Sequence, residues 1–207
     1  MNREFAVSSD IGFTPAVKAI QTRKGSRSGY AHMEEGGGWR TEIDEALAAF
    51  ISEQTSFFLA TATADGQPYI QHRGGPAGFI KVLDRTTLAF ADYKGNRQYI
   101  TQGNLSENPK AYIFLIDYVN RRRIKIWGEA RVIEDDQALT TALMPKDYKA
   151  RPEQTILFKI KAWDSNCPQH IPLKFDAADV AAAIAARDAR IAELEAEVTQ
   201  LKQKPAN

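Results

Sequence analysis

The sequence predicts a mainly β protein with flanking helices, an antiparallel barrel or sandwich followed by one long C-terminal helix. Short segments rich in β-branched and aromatic residues recur at Phe57–Thr63, Pro68–His72, Thr87–Ala91, Lys110–Tyr118 and Arg123–Val132. Turn chemistry separates them, at Asp65-Gly66, Gly74-Gly75-Pro76 and Lys94-Gly95-Asn96. Beyond Asp176 the composition shifts to Ala, Glu, Arg, Ile and Leu, and the apolar residues take up heptad spacing.

Composition narrows the class. At 207 residues the chain fits one domain with appendages: an N-terminal arm over 1–40, the barrel over 41–175 and the helix over 176–207. A net charge of +1 leaves no field that would attract nucleic acid or an anionic membrane surface. The single cysteine, Cys167, excludes an internal disulfide and fits a reducing, cytoplasmic setting. No apolar run approaches the roughly 20 residues of a membrane span, and MNREFAVSSD lacks the apolar centre of a secretory signal.

Taken in order, the first 40 residues read as irregular apart from a short helix starting near Pro15, with Val17 and Ile20 on one face. The stretch GSRSGYAHMEEGGGWR is glycine-rich and polar, with Tyr30, Met33 and Trp39 as anchors; it is expected to wrap the barrel or a partner subunit, with disorder as the alternative. Thr41-Glu42-Ile43-Asp44 starts a helix that ends near Gln54, with Ile43, Leu47, Phe50 and Ile51 on one face. A short helix through Tyr99, Ile100 and Leu105 follows the third strand and closes at Asn108-Pro109, because the residue before proline is pushed out of helical geometry. Glu134-Asp135-Asp136 begins a helix (Gln137–Leu143), Thr155–Ile160 is the last strand, and Asp176 and Pro205 bracket the long helix.

Phosphate-binding chemistry concentrates between the strands. Arg73 ends a strand against two glycines, Lys81 follows on the next strand, and Asn96-Arg97-Gln98 opens what reads as a helix. A helix start offers free N–H groups, and arginine adds a fork of donors, which together suit a phosphate dianion. Solvated loop cations are the alternative. The order of these features, with HRGGPAGF, GNRQYITQGN and SNCPQHIP, resembles the pyridoxamine 5'-phosphate oxidase-like family, the FMN-binding split β-barrels, and within it the branch of predicted flavin-nucleotide-binding proteins.

That resemblance, covering Glu42 to Ile171, implies an FMN flavoprotein, an oxidoreductase acting on a small-molecule redox substrate, with its flavin sites between the subunits of a homodimer. It implies that Arg73 binds the phosphate with Lys81, that Ala91 and Asp92 stand at the strand end near the phosphate and ribityl chain, and that Asn96, Arg97 and Gln98 complete the cradle. It also implies that Arg122 and Arg123 approach the ribityl chain or ring, and that Trp163, Asn166 and Gln169 cover the partner's flavin. Arginine at a flavin's pyrimidine edge stabilises negative charge on the reduced ring. A non-catalytic flavin carrier or sensor uses the same residues, and the deazaflavin F420 is the other cofactor to separate from FMN.

Two features stand beside that reading. Cys167 and His170 lack a third orienting group, so neither a nucleophile-base pair nor a metal site is supported there. Val180, Ile184, Ile191, Leu194, Val198 and Leu201 fall on a heptad in which Arg187 takes one core position. So narrow an apolar stripe is poorly stable alone, and the helix pairs with another copy or packs along the barrel.

Overall fold

The computed structural model describes residues 6–203. The expected helix stop at Pro205 lies outside them, as do residues 1–5 of the N-terminal stretch. Among the described residues seven strands form one antiparallel sheet: β1 (Ser56–Ala62), β2 (Pro68–Gly74), β3 (Lys81–Asp84), β4 (Thr87–Tyr93), β5 (Lys110–Asp117), β6 (Arg122–Ile133) and β7 (Pro152–Ser165), in the spatial order β2-β1-β5-β6-β7-β4-β3. Helices α1 (Pro15–Lys24), α2 (Arg27–Glu35), α3 (Glu45–Glu53), α4 (Ile100–Glu107), α5 (Gln137–Leu143) and α6 (Ala177–Gln203) complete it. The chain forms two compact units, the sheet and the chain up to Pro168 in one, Tyr118–Arg121 and the chain from Gln169 in the other.

Alternation sets the core. In β1 every second residue is buried, Phe57 and Leu59 to 1% and 0% exposure, because successive side chains of a strand point to opposite faces. The inward faces of β5 and β6 add Ile113, Leu115 and Ile126, and α3 caps the cluster with Leu47, Phe50 and Ile51. Each such side chain contributes about 1.5–3 kcal/mol by leaving water. β4 is buried on both faces, since Ala89 and Ala91 on its second face pack under Leu143 of α5. The sheet curls far enough for Arg73 on edge strand β2 to reach Asp92 on β4. Side chains, not a backbone ladder, join those strands, so the barrel is split.

Several expectations shift. The arm is helical: α2 replaces the glycine-rich irregular stretch, held by Arg27, which donates to Glu34 and to Gln21 (2.9 Å). Trp39 stacks on Trp127 at 4.4 Å, so the arm lies on its own sheet. The helix expected at Asn96 starts at Ile100, because Arg97 and Tyr99 adopt φ of 59° and 54°, outside right-handed helical space. Tyr99 and Ile100 are 41% and 40% exposed, and α4 instead buries Thr101, Asn104 and Leu105. β7 runs well past the expected Thr155–Ile160 at both ends.

β6 carries a register shift between Trp127 and Gly128. A Cβ on Gly128 would collide with the Lys159 carbonyl oxygen and lie 2.7 Å from Cζ of Phe158, so only glycine fits. Gly128→Ala is expected to cost about 1–3 kcal/mol, read as a lower urea midpoint at unchanged slope.

Tyr112 packs edge-on against Trp127 at 5.1 Å. Burial first, and the charge of Asp164 second, push its phenol up to about 12. The folded value is raised above the unfolded one, so this contribution to stability is complete below pH ~10 and lost as pH climbs toward 12. Alkaline unfolding should therefore begin at higher pH in Tyr112→Phe than in the parent, compared by circular dichroism across that window.

Candidate functional site

Alternation along β2 puts Tyr69, Gln71 and Arg73 on one side, where they line a pocket closed by Asp92 at the end of β4, the loop from Gly95 to Tyr99, the start of α4, and Glu153 and Gln154 of β7. The loop is built locally. The Asn96 Oδ1 accepts the Gln98 backbone N–H at 3.1 Å, an Asx turn, and Arg97 and Tyr99 hold left-handed conformations unusual for residues with side chains. α4 is then fastened to the sheet: Thr101 Oγ1 donates to Gln71 Oε1 at 3.0 Å, and Asn104 Nδ2 donates to Thr61 Oγ1 at 2.9 Å.

Two linked networks fill the pocket wall. Arg73 Nη1 donates to Asp92 Oδ1, and Gln154 Nε2 donates to Asp92 Oδ2 at 3.0 Å; the Arg73 and Asp92 side chains are only 14% and 11% exposed. Arg73 Nε is buried with no hydrogen-bond partner. On the outer side Tyr99 accepts from Arg97 Nε at 3.1 Å and donates to Glu153 Oε1 at 2.8 Å. The Tyr99 hydrogen bond first, and then the Tyr99 and Glu153 charges, raise the Arg97 guanidinium further above its ordinary value. The first-turn amides of α4 lack intrahelical partners by geometry, and Gly103 N–H is the first to bond back, to Tyr99 O at 2.9 Å. Two guanidiniums, side-chain amides and helix-start amides make a donor set for an oxyanion.

Of the residues expected from sequence, the pocket unites Arg73, Asp92, Asn96, Arg97 and Gln98. Ala91 is one residue away but turned into the α5 side of the sheet, 3% exposed. Lys81 begins β3 opposite Ala89 and does not line this pocket. Arg122, Arg123 and Asn166 lie outside it, the two arginines on opposite faces of β6: Arg122 lies over the Phe50 ring at 4.7 Å, Arg123 Nη2 donates to Cys167 O at 3.4 Å, and Asn166 N–H donates to Arg123 O at 3.3 Å. The register pairs Ile124 with Ser165 at this end of the β6–β7 ladder and Ile133 with Thr155 near the pocket end. Across the sheet, however, His72 beside Arg73 stands in register with Lys125 of β6 through Phe58 and Phe114, three strands and roughly 15 Å away.

Trp163 sits inside β7 at 5% exposure, its indole N–H donating to Glu42 O at 2.8 Å and its face covered by Arg40 at 4.8 Å, so its ring serves packing. Gln169 belongs to the second unit and is exposed. Reading residues alone missed Gln71, Tyr99 and Gln154. Gln71 was open to detection, being two residues before Arg73 on one strand face, whereas Gln154 faces Asp92 only through the β4–β7 register. Among the described residues no group of three or more His, Cys, Asp or Glu is placed to hold a metal ion, and no helix is long and apolar enough to cross a membrane.

The family model described as pyridoxamine 5'-phosphate oxidase matches residues 43–167, more than half of the chain. Among solved structures the chain is similar to HupZ of Group A Streptococcus, at 16% identity and a TM-score of 0.47, covering 64% of this chain and 99% of that one. An FMN-binding protein from Syntrophomonas wolfei gives 12% identity and a TM-score of 0.45, covering 70% and 97%. General Stress Protein 26 from Bacillus anthracis gives 22% identity and a TM-score of 0.41, covering 56% and 88%. No curated protein matches.

Removing one member of a buried ion pair strands the other. Asp92→Ala is expected to cost about 3 kcal/mol in urea unfolding, and the double change Arg73→Met with Asp92→Leu should recover most of that loss.

Proposed function

The chain belongs to the pyridoxamine 5'-phosphate oxidase family, and from that premise we propose that it is an FMN-binding flavoprotein, an oxidoreductase that works as a homodimer on a small-molecule redox substrate. The observation that carries the reading is Arg73: a guanidinium fixed by Asp92, facing the pocket, with its Nε buried and without a protein partner. A guanidinium held in this way at a pocket wall keeps further N–H groups for a ligand's oxyanion.

The residues present fit a flavin mononucleotide phosphate. Arg73 and Arg97 supply charge, Asn96 and Gln98 supply amides, and the helix start adds backbone N–H groups. Asp92 and Glu153 offset the charge of Arg73 and Arg97, so Asp92 orients Arg73 at some expense in anion affinity. Arg122, Arg123 and Asn166 do not line this pocket, and in this reading they contribute from the second subunit of the proposed dimer. Bound flavin supplies one- or two-electron transfer through its ring, so a protein nucleophile is not required.

The test is the absorbance spectrum of the purified protein, then release and mass identification of the chromophore. FMN near one per chain is the expected result, and a colourless protein that takes up no added FMN overturns the proposal. Release of F420 would replace the cofactor. Arg97→Ala should weaken FMN by about 10- to 100-fold, since a charge-assisted hydrogen bond is lost, while Asp92→Asn should tighten it. Bound FMN that neither NAD(P)H reduces nor oxygen reoxidises would mark a carrier instead of an enzyme.

A further inference from the structure

Helix α6 is the largest surface that the flavin reading leaves unused. Its apolar residues Val180, Ile184, Ile191, Leu194, Val198 and Leu201 are each 42% to 58% exposed, and no residue of the helix is buried. A contiguous apolar stripe of this kind marks a contact surface.

The register identifies the contact. With Ile184, Ile191 and Val198 at heptad position a, Val180, Leu194 and Leu201 fall at d. β-branched residues at a with leucine at d pack best in a parallel two-stranded coiled coil. The flanking charges agree. Arg190 and Glu197 occupy g, and Glu195 and Lys202 occupy the next e positions. In a parallel, in-register pair each g faces the e five residues on in the other helix, so Arg190 of one copy meets Glu195 of the other, and Glu197 meets Lys202. An antiparallel pair, g against g and e against e, sets Glu195 against Asp188 while Arg190 meets Glu197, or sets Glu195 against its own copy while Asp188 meets Lys202, so only the parallel pair is free of a like-charge contact.

Arg187 is the one polar residue in the seam, at d. Its stem can lie along the apolar stripe while the guanidinium reaches the neighbouring e position, Asp188 of the other copy, and a polar core residue fixes register at a cost in stability. The exposed Arg190–Glu193 pair within the helix, at 2.8 Å, is worth too little to compete.

We propose that α6 forms a parallel, in-register two-stranded coiled coil with a second copy of this chain. The argument rests on α6 alone and stands apart from the flavin.

The full-length chain tests it in a Cys167→Ser background, which removes the exposed thiol. Leu201→Cys and, separately, Val180→Cys should each give a covalent dimer as the main product of mild oxidation. An antiparallel pair sets position 201 against the region of 184–191, about 15 Å or more from its own copy, and gives neither product. A helix bound elsewhere on its own chain also gives neither, and both results overturn the proposal. Glu197→Lys added to Leu201→Cys should lower the dimer yield about fivefold, and Lys202→Glu on the same chain should restore it. Equal yields from all of these chains would overturn the register.

Discussion

The ion pair between Arg73 and Asp92 is the interaction on which the rest of the molecule turns. β2 and β4 are not neighbours in the sheet, and β2 reaches β4 through this pair alone among the described hydrogen bonds and ion pairs between those strands. A desolvated carboxylate and guanidinium repay their burial only where geometry and additional hydrogen bonds are good. Gln154 supplies one of those bonds, and it stands in register with Asp92 on the adjoining strand. The same closure shapes the pocket, so seam and site cannot be varied independently. An arginine held by a carboxylate is well oriented but partly neutralised, a compromise that suits a dianion with several other donors to meet.

The N-terminal segment depends on aromatic contacts. Trp39 stacks on Trp127, Phe13 packs on Trp39 at 4.8 Å, and Arg40 both covers Trp163 and pairs its backbone with that strand. Gly12 completes the fit, since a Cβ there would lie 2.7 Å from the Trp39 ring. Around this, Lys18 bridges Asp10 at 2.6 Å and Glu34 at 3.1 Å, tying α1 to α2. A stretch with little helical propensity is thus made helical by its surroundings.

That override marks where sequence reasoning stops. β1, β5 and β6 were legible because a half-buried strand must alternate, and the Asp65-Gly66 turn was legible because Gly66 takes a φ of 96°. α3 was legible from the helical spacing of Leu47, Phe50 and Ile51, though it starts at Glu45 and not at Thr41, and α5 from its acidic start; Asp44 and Asp136 cap them, each accepting an N–H three residues on at 2.8 Å. The start of α4 was not. Its loop is left-handed at Arg97 and Tyr99, where no glycine announces the turn, and contacts to β2 and β7 hold it there. Trp163 misled for a related reason: an aromatic near amides and a thiol reads as ligand-lining until the Glu42 carbonyl is seen to take its N–H.

The two sets of arginines pose the remaining structural question. One chain presents Arg73 and Arg97 in the pocket, with Arg122 and Arg123 outside it at the start of β6. Under the proposed dimer, a second chain would bring its Arg122 and Arg123 to the first chain's pocket, and symmetry would then make two equal sites. Such an isologous contact has a twofold axis. A parallel, in-register coiled coil has a twofold axis along its own length, whereas an antiparallel one has its axis across the helices. If α6 pairs in parallel as proposed, its twofold axis is one that a twofold sheet contact can share, and the pairing raises the effective concentration at which that contact closes.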